Sequence, residues 1–164
     1  MKRNDLYAVT VIGVAVGLLI QPILVNLGSF AAFAHPTFAL RLGIFTFFTI
    51  LAPVMLWVLF LLGKLVPVLY QFGKFAAVGV LNTFIDLGVL NFIIFLTGIA
   101  GGASYAIFKA ISFFCATTNS FFWNKNWTFN AKGAATGKET GSFFLFAIVG
   151  WAINVGIATF VVNG

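Results

Sequence analysis

The chain has 164 residues, of which 62% are hydrophobic and only 7% charged, and its formal net charge is +6. A soluble domain carries about 25% charged residues, so this composition excludes a water-covered surface and predicts an integral membrane protein. The basic residues lie mostly between apolar segments, as cytoplasmic loops of membrane proteins place them, and no basic surface domain is present to bind nucleic acid.

Five segments approach the roughly 20 helical residues that cross a hydrocarbon core. They run about Ala8–Leu27, Leu42–Gly63, Phe75–Thr97, Ser104–Trp123 and Phe143–Val162. Unpaired backbone is intolerable in lipid, and the alternation of a membrane barrel is absent. The expected fold class is therefore all-α, a polytopic transmembrane helix bundle with five predicted spans. The first segment is too long for a signal-peptide core and ends in no small-x-small cleavage site, so it reads as a retained anchor. Pro22 and Pro53 interrupt the first two segments, where each is expected to bend its helix. Neither segment holds an internal charge, and both read as packing or anchoring helices. His35 stands alone in a short loop, which argues against a metal site. Cys115 is the single cysteine, so an intrachain disulfide is excluded and apolar packing is its expected role.

Loop charges give an orientation. Lys2, Arg3, Lys64, Lys74, Lys125, Lys132 and Lys138 fall on one side of the membrane and Arg41 on the other. The expected topology is multi-pass with a cytoplasmic N-terminus.

Only the third and fourth segments carry charges in their middles. An ionised side chain there costs about 2.5–3.5 kcal/mol on insertion scales, so a chain that keeps Asp86 and Lys109 has a use for them. Asn82 and Asp86 are four apart and share a helix face, with Gly79 on the same side. Lys109, Ser112, Ala116, Asn119 and Trp123 fall at steps of three and four and trace one narrow stripe. At about 1.5 Å per residue from the external ends, Asn82 and Asn119 lie near ~22 Å, Asp86 near ~16 Å and Lys109 near ~8 Å. Lys109 is thus placed either to snorkel outward or to reach the carboxylate. The pattern supports two readings, an interhelical clamp of paired polar groups and a groove that passes a polar headgroup. In the fifth segment Ala147, Gly150, Asn154 and Ala158 form a small-residue stripe suited to close packing. Trp123, Trp127 and Phe129 flank the cytoplasmic end of the fourth segment. There they read as interfacial aromatics or, with Lys125, as a cradle for a lipid phosphate.

Two runs resemble a known family. FGKFAAVGVLNTFID (72–86) resembles the opening of GtrA-like membrane proteins, with its G-x-x-N-T-x-x-D pattern, and SFFWNKNWTF (120–129) resembles their S-F-x-x-N-[RK]-x-W-T-F signature. The resemblance covers residues 71–164, with residues 1–70 as a transmembrane hairpin outside it. It implies a four-helix domain, whereas three segments follow Gln71, so either the chain is a piece of a longer, six-span protein or the last helix of the domain is missing. It also implies a role in cell-surface polysaccharide synthesis, moving a polyprenyl-phosphate-linked sugar across the cytoplasmic (inner) membrane. The family's motif positions fall here on Asn82, Asp86, Asn124, Lys125 and Trp127.

The candidate substrate-binding residues are accordingly Asn82, Asp86, Lys109, Asn119, Asn124, Lys125 and Trp127. In this reading Lys125 meets the phosphate, while Asn82, Asn119 and Asp86 meet sugar hydroxyls. The expected partners are the polyprenyl-phosphate-linked sugar, membrane lipid and a glycosyltransferase, with homo-oligomerisation compatible with so few helices. The competing role is a non-transporting anchor or partner of a polyprenol-phosphate glycosyltransferase. A third is a small ion-coupled transporter with Asp86 as its proton site. No nucleophile–base set, metal-ligand cluster or phosphate-binding glycine loop is present, so neither an enzyme nor a cofactor is expected.

Overall fold

In the computed structural model, residues 1–26, 36–130, 137, 141, 143–145 and 147–152 are described. Residues 1–130 form one compact unit and residues 131–164 a second. The first unit contains α1 (Arg3–Asn26), α2 (Phe38–Leu62), α3 (Val68–Thr97) and α4 (Gly102–Trp123), with a five-residue π-helix, Asn124–Thr128, following α4 directly. In the second unit the apolar helix α5 spans Phe143–Ala152. Among the described residues there are no strands. The predicted second half of the fifth span, with Asn154 and Ala158, lies outside the described residues, as do His35, Lys132 and Lys138.

The helices form where the apolar segments predict them but reach further. Three of them, α1, α2 and α3, are long and apolar enough to cross a membrane. With 22 residues, α4 is long enough as well, but it does not belong to that apolar set. The start of α1 is Arg3 instead of Ala8, and that of α3 is Val68 instead of Phe75. Hydropathy marks where lipid ends, whereas backbone hydrogen bonding continues into the polar turns beyond it. At the other end of α3, Gly98 closes the helix in the left-handed region (φ 68°), with its N–H bonded to the Ile94 carbonyl. Thr37 caps α2 by accepting from the Leu40 N–H at 3.2 Å.

In lipid, helices associate through close packing and polar contacts, because acyl chains are as apolar as leucine. The α1–α2 hairpin achieves this with Gly13 and Gly17, four residues apart on one face of α1. A Cβ at Gly13 would stand 2.7 Å from the Phe48 carbonyl oxygen, and one at Gly17 would stand 2.9 Å from the Phe45 ring. On its other side α1 packs along α3, where Ile12, Val16, Val78 and Leu81 form a buried cluster joined by Phe48, Phe84, Trp123 and Trp127. The hairpin and the two motif-bearing helices therefore share one core. The outer face of α2, including Phe47, Ile50, Val54 and Trp57, stays exposed, as a lipid-facing surface would.

Gly79 differs from these glycines. Its spacing sets it on the Asn82 side of α3, and it is exposed with open space around a built Cβ. Since Ala exceeds Gly in helix propensity by about 0.8–1.0 kcal/mol, Gly79→Ala is expected to leave stability unchanged or raise it by up to about 1 kcal/mol. Unfolding of the detergent-solubilised protein by increasing sodium dodecyl sulfate would measure this.

Candidate functional site

Two polar nodes lie within the first unit. The upper one is made by α3 and α4 side by side. The Asn119 Nδ2 donates to Asn82 Oδ1 at 2.7 Å, in agreement with their equal predicted depth. One turn further along α3, Asp86 forms an ion pair with Lys109 and accepts from the Ser112 hydroxyl at 2.6 Å. Ser112 is fully buried, whereas the Asp86 and Lys109 side chains are 22% and 32% exposed. Lys109 thus reaches toward the carboxylate. The stripe inferred from spacing is the packed face of α4: Ser112 and Ala116 are buried, Asn119 meets α3, and Trp123 joins the core. Asn82, Asp86, Lys109, Ser112 and Asn119 each have a partner across the interface, and Asp86 and Lys109 lie at its partly exposed edge.

The lower node was not visible in the sequence. Asp5, 4% exposed, sits in the first turn of α1. Its carboxylate accepts from Lys74 Nζ at 2.6 Å, Trp127 Nε1 at 2.9 Å and the Tyr70 hydroxyl at 2.8 Å. The Lys74 ammonium also lies 4.9 Å from the Tyr70 ring centroid and 5.5 Å from that of Trp127, within cation–π range. Three elements, α1, α3 and the π-helix, are tied by one carboxylate. The signals that could have found it are an acid close to Lys2 and Arg3, and a Tyr–Lys pair four residues apart just before the third predicted segment.

The signature run forms the π-helix. Its i→i+5 geometry shows in the bond from the Phe129 N–H to the Asn124 carbonyl, 2.9 Å, and single π turns are frequent at functional sites. Asn124 and Thr128 are buried, and Asn124 Nδ2 donates to Ser120 Oγ at 3.2 Å. Asn124 Oδ1 and Thr128 Oγ1 have no hydrogen-bond partner, an uncommon state for buried polar atoms. Trp123 and Trp127 pack edge to face, 5.6 Å between centroids. Both pack against the core while staying partly exposed. Phe129 alone of the three is exposed. Lys125 lies on the same π-helix, two residues before Trp127. Cys115 is exposed on α4, contrary to the expected packing role, because the buried stripe of that helix runs through Ser112, Ala116 and Asn119. Among the described residues no group of His, Cys, Asp or Glu could hold a metal.

No solved structure matches the chain. It is 39% identical over 82 residues to the uncharacterized membrane protein YngA of Bacillus subtilis (strain 168), an alignment covering 50% of this chain and 52% of the relative. The chain thus spans about half the length of that curated relative. The family model described as "GtrA/DPMS, transmembrane domain" matches residues 74–164. That stretch is more than half of the chain and holds Asn82, Asp86, Lys109 and the whole π-helix, so this membrane protein belongs to the GtrA/DPMS transmembrane-domain family.

Proposed function

We propose that the chain carries a polyprenyl-phosphate-linked sugar across the cytoplasmic membrane for cell-surface polysaccharide synthesis, with its N-terminus cytoplasmic and without enzymatic chemistry of its own. The observation that carries this reading is the polar seam of Asn82, Asn119, Asp86, Lys109 and Ser112 between α3 and α4. A sugar headgroup cannot enter hydrocarbon without partners for its hydroxyls. The seam supplies amide, carboxylate, ammonium and hydroxyl groups at depths where lipid supplies none. The isoprenoid tail stays in lipid throughout, and Lys125 meets the phosphate at the cytoplasmic end by charge-assisted hydrogen bonds.

The test is headgroup movement in liposomes holding the purified protein. The wild type is expected to move a polyprenyl phosphosugar above the level of empty vesicles. Asp86→Asn is expected to slow it about tenfold or more, a barrier increase of at least ~1.4 kcal/mol. A second reading has one observation in its favour: Asn82 and Asn119 satisfy each other, as a purely structural clamp would. In that reading the protein is a membrane partner of a polyprenol-phosphate glycosyltransferase. No movement above empty vesicles, together with retention of a transferase on the purified protein, would replace transport with anchoring.

A further inference from the structure

Three donors from two elements converge on the Asp5 carboxylate: the Lys74 ammonium and the Trp127 indole on one oxygen, the Tyr70 hydroxyl on the other. A cation, an indole N–H and a phenol directed at both oxygens of one anion are the parts of an anion receptor. We propose that Tyr70, Lys74 and Trp127 form a phosphoryl-binding site and that Asp5 is its built-in occupant, displaced when a phosphate-bearing ligand arrives.

Three observations support displacement. Of residues 2–7, Asp5 alone is buried, and its carboxylate carries side-chain hydrogen bonds that tie the first turn of α1 to α3 and the π-helix. The next inward-facing residue, Val9, is 0% exposed and belongs to the packed part of α1, so the turn can open without disturbing the core. Charge is conserved in the exchange: a phosphodiester carries one negative charge, as Asp5 does, and Lys74 keeps a counter-ion throughout. Once released, Asp5 lies beside the exposed Lys2 and Arg3. The preference for a lipid-linked phosphodiester rests on the proposed function, whereas the anion chemistry stands without it.

The test is equilibrium binding of a polyprenyl phosphosugar, a phosphodiester, and separately of inorganic phosphate, to the full chain in detergent micelles. Removing an internal competitor raises apparent affinity by the factor with which it occupied the site. Asp5→Asn is therefore expected to bind about tenfold more tightly than wild type, and Lys74→Gln to lose binding in both backgrounds. Binding of the lipid that inorganic phosphate does not displace identifies a lipid headgroup, and equal binding of inorganic phosphate identifies a soluble anion. Weaker or unchanged binding by Asp5→Asn overturns the proposal and leaves Asp5 as a structural tie.

Should Asp5→Asn fail to fold, carbodiimide labelling of wild-type Asp5 decides instead. Labelling that rises at least several-fold on adding the polyprenyl phosphosugar supports displacement, and labelling that stays constant rejects it. Tighter binding without headgroup movement in vesicles would retain the site while removing the transport role. Movement that persists while Asp5→Asn binds no more tightly would do the reverse.

Discussion

Lys109→Met is expected to be among the most destabilising substitutions in the α3–α4 pair. It removes the counter-ion of Asp86 and leaves the partly buried carboxylate with the Ser112 hydroxyl. Breaking a buried pair by deleting one partner costs about 3–5 kcal/mol. The partial exposure of both side chains lowers the expectation to about 2–3 kcal/mol. Unfolding by sodium dodecyl sulfate in mixed micelles measures it, and a variant as stable as wild type would show that the pair does not hold the helices together. The double variant Asp86→Asn with Lys109→Gln separates the two uses of the seam. Neutral amides can bond across the interface as Asn82 and Asn119 do, so stability is expected to recover to within about 1 kcal/mol of wild type. Transport is expected to stay at least tenfold down if the charges meet the headgroup. Full transport by the double variant would make the pair a clamp and nothing more.

That seam was legible because two periodicities coincide. Asn82 and Asp86 are spaced for one face of α3, Lys109 to Trp123 for one face of α4, and equal depth set the two amides opposite each other. Helix geometry converts such spacing into neighbours with little help from the rest of the fold. Spacing did not reveal whether Lys109 turns outward or inward, since both lie within reach of its stem, and packing with Ser112 against Asp86 decided it.

The Asp5 node was hidden for a different reason. Its members stand at positions 5, 70, 74 and 127, all outside the expected spans. Hydropathy stops at the apolar boundary, whereas α1 and α3 continue past it and bring their polar ends together. The signature tryptophan is consequently held by a residue of the N-terminal hairpin, which lies outside the stretch matched by the family model. The hairpin, read from sequence as an anchor without a motif, contributes a carboxylate to the motif's own surroundings.

The same hairpin yields the second large effect, at Gly13. Substitution by alanine places a Cβ 2.7 Å from the Phe48 carbonyl oxygen, and 3.1 Å from both the Thr49 Cα and the Ala52 Cβ. Two of these neighbours are backbone, so the helices must separate instead of a side chain turning aside. An apolar cavity of about 300 Å³ borders Gly13, but the Cβ direction points into α2, and the void gives no relief. Overpacking of this kind costs about 1–3 kcal/mol, offset in Gly13→Ala by roughly 1 kcal/mol of helix propensity. Gly13→Ala is therefore expected to lose about 1 kcal/mol and Gly13→Val about 3 kcal/mol, since valine adds two methyl groups in the same place and gains less propensity. The sign is opposite to that expected at Gly79, although both are mid-helix glycines, because one faces a helix and the other open space. Because α1 also carries Asp5, the separation is expected to weaken the Trp127 contact. The indole N–H resonance of Trp127 in ¹⁵N-tryptophan-labelled protein, assigned through Trp127→Phe, should then move toward the position of a free indole in Gly13→Val. Unaltered stability in Gly13→Val would mean that α1 and α2 do not pack through this face.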